Sequence, residues 1–165
     1  MSCSVLLCRE IELSQLRELL ARFGISITEV ADDEPIPGSW FGDPEAGIIA
    51  TTLYIRGDTP VHSALHESCH LICMDAERRA NLHTNAGGDY DEENGVNYME
   101  ITLAGYIQQL GSERIFRDMD CWGYTFRLGS AKAWFEQDAE DARSWLIGHH
   151  LIDSNGTPTW RLRNP

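Results

Sequence analysis

The sequence predicts an α+β fold: an N-terminal helix and a small antiparallel sheet, followed by a mainly helical C-terminal half. Three observations carry this expectation. Residues 25–30 (ISITEV) alternate apolar and polar with the period of a strand, and residues 48–55 (IIATTLYI) form a β-branched run bounded by Gly57. Past residue 59 the apolar residues recur instead at helical spacing. Between the two strand-like runs lie ADDEPIPGS (31–39) and GDPEAG (42–47), rich in turn-forming residues.

Taken in order, Leu13, Leu16, Leu19, Leu20 and Phe23 put an amphipathic helix over residues 12–23, and Gly24 stands where a C-terminal glycine is expected. The strand at 25–30 follows. Trp40 and Phe41 are expected to begin a short strand, and 48–55 is expected to be one continuous strand. Thr59 or Asp58 is positioned to cap the next helix, with Pro60 in its first turn and its end near residue 77. NLHTNAGGDYDEE (81–93) reads as a loop leading into a second helix over about 91–110, with Val96, Tyr98, Met99, Ile101, Leu103 and Ile107 at apolar positions. Gly111 is expected to break that helix, Ser112–Met119 to form another, and CWGY (121–124) to interrupt. Ser130 should cap a helix running through Leu146, with Ala133, Trp134, Ala142 and Trp145 inward, and the tail around Asn155–Gly156 should form a small hairpin. The aromatic residues of 116–135 read as core, with a share available to wall a cleft. Asp118 and Asp120 are expected to pair with Arg117 and Arg127. No internal repeat or long linker divides the chain, so residues 1–165 are expected to form a single domain.

Composition narrows the function. A chain of 165 residues with 42% hydrophobic content is able to bury a real core. Its net charge of −13 argues against non-specific binding to nucleic acid or to an anionic membrane, because such a surface repels phosphate. No apolar run approaches the roughly 18 residues of a membrane span, and the N-terminus MSCSVLLCREIEL lacks a basic leader, so neither a transmembrane helix nor a signal peptide is expected. Five cysteines, an odd number, point to free thiols in a reducing cytoplasm, with Cys69 and Cys73 as small buried core residues.

The informative stretch is HESCH, residues 66–70, inside the second predicted helix. Residues four apart share a helix face, so His66 and His70 are able to aim an imidazole nitrogen each at one ion. Glu67, one step round, is close enough to hold a water without ligating the metal. Zinc lowers the pKa of a bound water towards ~7, and the glutamate is then able to take its proton. The flanks (Ala64, Leu65, Leu71, Ile72) are apolar, and two buried histidines with a glutamate are costly without a partner.

A catalytic zinc normally has three protein ligands and an open position. A third histidine in the pattern H-E-x-x-H-x-x-G-x-x-H is excluded, because positions 73 and 76 are Cys73 and Ala76. A carboxylate from the following helix is the alternative, and DYDEENGVNYMEITLAG supplies it. Glu93 leads the candidates, with Asn97 one turn on and Glu100 at i+7 on the same face. Glu92 is its rival: one helical step rotates about 100°, so only one of the two faces the metal. Asp89 and Asp91 are less well placed.

HESCH and ENGVN together resemble the gluzincin branch of the zinc metallopeptidases, in which HExxH is followed by a helix bearing a ligand glutamate with Asp or Asn at i+4. The short spacing is similar to that of small intracellular zinc peptidases that act on regulatory proteins. The resemblance covers about residues 48–108. It implies a zincin-like fold, Zn2+ held by His66, His70 and Glu93, Glu67 as general base, Asn97 behind the ligands, and a peptide or protein substrate. A strand ahead of the HExxH helix fits the cleft-lining strand of such enzymes. Tyr124, Arg127, His149 and His150 are candidates to stabilise an oxyanion. His62 is expected to be a polar residue in the first turns of the helix, and His83 to be solvated. A non-catalytic metal-binding regulator and a metal-free binding module are the competing readings. A closed fourth ligand such as Cys69 or Cys73 would favour the regulator.

Overall fold

The computed structural model describes residues 3–164. The architecture is α+β with a helical majority: among the described residues a three-stranded sheet and seven α-helices, α1 (Leu13–Ala21), α2 (Val61–Cys73), α3 (Ala76–Ala80), α4 (Tyr90–Ala104), α5 (Gly111–Trp122), α6 (Ala131–Gln137) and α7 (Glu140–Gly148). The strands are β1 (Ser26–Glu29), β2 (Gly47–Ile49) and β3 (Thr52–Ile55), in the order β1-β3-β2.

The sheet is mixed, which corrects the antiparallel expectation. β1 runs parallel to β3 in the register Ser26↔Thr52, and β2 runs antiparallel to β3 with Ile49↔Thr52. The reason lies in IIATTLYI, which is a tight hairpin and not one strand. Ala50, at φ +51°, and Thr51 form its two-residue turn. The chain leaves β1, crosses to the far edge as β2 and folds back, so the second hairpin arm enters the middle of the sheet alongside β1. Gly47 is required at the start of β2, since a Cβ there would lie 1.9 Å from the Pro37 carbonyl oxygen. Trp40 and Phe41 form no strand. They sit on a bend of the connection between β1 and β2, with 57% and 71% of their surfaces exposed.

α2 is the central helix, packed against the hairpin, α4 and α5. Of its thirteen residues only His66 is not buried. Neither Thr59 nor Asp58 caps it. Both serve Arg56 in the preceding turn, Thr59 Oγ1 accepting from its backbone N–H (2.9 Å) and Asp58 pairing with its guanidinium (2.7 Å). α2 ends at Cys73, short of residue 77, because Asp75 starts α3 by accepting from the Arg78 N–H at 2.8 Å. Other boundaries shift as well. α4 stops at Ala104, ahead of Gly105, and Gly111 opens α5 instead of only ending its predecessor. The helix capped by Ser130 divides at Asp138–Ala139 into α6 and α7. Asp118 pairs with Arg114 (2.9 Å) and Asp120 accepts from the Ala131 N–H (2.8 Å), so neither meets Arg117 or Arg127. The tail turns at Asn155–Gly156 with one bridge, Ile152↔Pro158.

Cys3 and Cys121 are joined as a disulfide, whereas Cys8, Cys69 and Cys73 are free and buried. This corrects the expectation of five free thiols and removes the cysteine count as an argument for a reducing compartment. The separation of 118 residues leaves no spacing signal in the sequence. Among the described residues no helix is long and apolar enough to cross a membrane.

Leu65, fully buried on α2, tests the central position of that helix. Leu65→Ala is expected to lower unfolding free energy by about 2–5 kcal/mol in urea titration. A loss below about 1 kcal/mol would contradict the placement.

Candidate metal centre

The packing of α4 against α2 brings the first turn of α4 to the middle of α2. His66 Nε2 lies 3.2 Å from one Glu93 oxygen and His70 Nε2 lies 3.3 Å from the other. The two rings stand nearly perpendicular, with centroids 4.8 Å apart, and one donor atom from each of the three residues lies within 4.8 Å of the others. Two imidazole nitrogens and a carboxylate are the donor set of a zinc centre with an open position. The Glu93 side chain is 46% accessible, so the group faces a cleft and not the core.

The surroundings also fit a cation. His66 Nδ1 is 2.8 Å from Glu100 Oε1 on the fully buried Glu100 side chain, the kind of contact that fixes a ligating histidine. Burial disfavours charge on His66, but hydrogen bonds and charge from Glu100 and Glu93 outweigh it, and its pKa is raised well above the ordinary value. Burial, then the charge of His66, lowers His70 to about 4, so that imidazole is neutral near pH 7. Burial raises Glu100 and pushes Glu67 up to about 7. Buried carboxylates of this kind are stabilised by a divalent cation among them. Among the described residues, His70 Nδ1 and Glu100 Oε2 find no hydrogen-bond partner, and both are buried.

Glu92 faces away. Its carboxylate takes both Arg78 terminal nitrogens at 2.9 Å and Arg163 at 3.2 Å. Asp89 caps α4 by accepting from the Glu92 N–H (2.9 Å), and Asp91 is exposed. Asn97 Oδ1 is buried with no partner among the described residues, and the contact expected behind the histidines is made by Glu100 instead. Glu67, only 6% exposed, borders the cleft beside His66 and Glu93.

Of the residues weighed for oxyanion stabilisation, only Tyr124 reaches the site. Its hydroxyl donates towards Glu100 Oε1 (3.4 Å) and lies 3.3 Å from His62 Nδ1, and its ring meets His66 edge-on. Arg127 pairs with Asp138, and His149 and His150 border a separate cavity with Arg161. His62 stands in the first turn of α2 as expected, but it is buried against Trp122 and Tyr124, and burial followed by the His66 charge lowers it to about 3. His83 is exposed.

Two cavities meet over the centre, sharing Phe41, His66, Glu67 and Glu93. One, of about 510 Å³, continues towards Glu45, Trp122 and Tyr124; the other, of about 280 Å³, towards Trp40 and Thr84–Gly88. Trp122 is among the aromatic residues expected to be available to a cleft wall, but Glu45, joined to it by an Nε1–H···Oε1 bond of 2.8 Å, carries no signal in the sequence, since no spacing rule connects residues 77 positions apart.

No protein-family model, curated protein or solved structure matches the chain. The resemblance to gluzincins therefore rests on the sequence patterns HESCH and ENGVN alone.

Glu93 and Glu92 are separable by substitution. Glu93→Gln is expected to weaken zinc binding by more than roughly 100-fold in competition with a chromophoric chelator. Glu92→Gln should leave zinc affinity within a few-fold but cost roughly 2–3 kcal/mol of stability, because it weakens a buried pair with two arginines. The reverse pattern would exchange their roles.

Proposed function

We propose that this chain is a zinc-dependent hydrolase, acting on peptides or proteins. The observation that carries the reading is the position of Glu67, a nearly buried carboxylate at the cleft wall beside His66 and Glu93. A purely structural centre of two histidines and one glutamate needs no such neighbour.

His66, His70 and Glu93 would hold the ion, and Glu100 would fix the His66 ring through Nδ1. Zinc bound there supplies Lewis acidity to a water and a carbonyl. The chain's own groups then handle the protons. Glu67 accepts a proton from water as the water oxygen bonds to the scissile carbonyl carbon. It returns that proton to the amine as the C–N bond breaks. Burial holds Glu67 near neutrality, with the charges of Glu45, Glu93 and Glu100 adding and His66 opposing, which suits a group that must both take and give a proton. Burial and then Glu100 raise Tyr124 well above the usual phenol value, so it keeps its proton, which would turn from Glu100 Oε1 to a developing oxyanion.

A closed, non-catalytic centre would need a fourth protein ligand. Cys69 and Cys73 do not join the cluster, and burial raises both thiols. This favours the hydrolase over the regulatory reading. Glu67→Gln is expected to retain about one zinc per chain while hydrolysis of a peptide mixture falls at least about 100-fold. Undiminished hydrolysis would remove Glu67 as the base. Zinc binding with no hydrolysis by the unaltered chain would favour a binding protein.

A further inference from the structure

The two cavities over the centre differ in chemistry. The smaller is lined beyond the shared residues by His70, Trp40 and the small or uncharged residues 84–88. The larger holds three aromatic rings and four carboxylates, with no lysine or arginine. Those carboxylates are not equivalent. Asp43 pairs with Arg56 at 3.0 Å, sharing that guanidinium with Asp58, and also accepts from the Ile36 N–H. Glu67 and Glu93 face the metal centre. Glu45 remains: its side chain is tied by one oxygen to Trp122 Nε1, its only side-chain hydrogen-bond partner among the described residues. The bond holds a carboxylate on the pocket wall beside an indole that is 43% exposed. Phe41, 71% exposed, borders the same space.

An aromatic-walled pocket with a fixed carboxylate suits a long side chain with an apolar stem and a cationic end. A volume of about 510 Å³ is ample for it. The net charge of −13 adds long-range attraction for basic partners. We propose that the larger cavity is the specificity pocket of the hydrolase and takes a lysine or arginine side chain of the substrate, with Glu45 as the residue that selects its charge. The smaller cavity takes a small residue on the other side of the reacting bond. This role rests on the hydrolase reading.

The test uses the zinc-loaded full chain and three amino-acid hydroxamates, of lysine, norleucine and glutamate, titrated by calorimetry. The hydroxamate group reports on the metal, and the side chain reports on the pocket. Lysine hydroxamate is expected to bind roughly tenfold more tightly than norleucine hydroxamate, from one charge pair in a half-open pocket. Glu45→Gln, which keeps an acceptor for Trp122, should bring that ratio to about one. Glu45→Lys should turn the preference to glutamate. Glu18→Gln, the same charge change on α1, should leave the ratio intact. Equal binding of lysine and norleucine hydroxamates overturns the pocket assignment with the metal centre untouched. So does a ratio that survives Glu45→Gln or falls equally with Glu18→Gln. Failure to take up zinc removes the hydrolase reading itself, and the pocket's role with it.

Discussion

Both nitrogens of His66 face carboxylates from a single helix. Glu93 stands 3.2 Å from Nε2 and Glu100 2.8 Å from Nδ1, and the two are seven residues apart on α4, on one face of it. This double contact ties the rotation of α4 to the position of HESCH on α2. With α4 so turned, Glu92 points about 100° away into Arg78 and Arg163, and Asn97 makes no bond to either histidine. A one-residue rotation of α4 would lift both carboxylates off His66 and break the Glu92 pairs together. The register of one helix pair thus determines which acids border the cleft and which stabilise the core.

The same packing sets the electrostatics. Glu67 and Glu100 are buried on or beside a helix with almost no exposed surface, and burial raises both. His70 is kept neutral and His66 charged by surroundings that differ chiefly in their carboxylate contacts. A pair of rings one helical turn apart therefore behaves as two different groups. A cation among Glu67, Glu93 and Glu100 would offset their mutual repulsion and let both imidazoles serve as neutral donors.

Much of this was legible in the sequence because it is local. The pattern HESCH fixes its own geometry once it is helical, and ENGVN with Glu100 at i+7 follows the same helical arithmetic. The choice between Glu93 and Glu92 was not legible, since it depends on Arg78 and Arg163, which come from α3 and the tail. The hairpin inside IIATTLYI was hidden because Ala50–Thr51 carries none of the Gly, Asn or Asp that marks such turns. Glu45 reaches the cleft from the connection before β2, Trp122 and Tyr124 reach it from the end of α5, and the Cys3–Cys121 link joins opposite parts of the chain. Pairings of that range leave no periodic trace.

The central claim is that α2 and α4 together form one metal site. The most direct measurement is elemental analysis of the full chain purified without chelators, beside His70→Ala prepared identically. About one zinc per chain in the first and a small fraction of that in the second is the result predicted. No metal in either, even after zinc is restored and excess removed, would contradict it and leave His66, His70 and Glu93 as a hydrogen-bonded cluster between two helices.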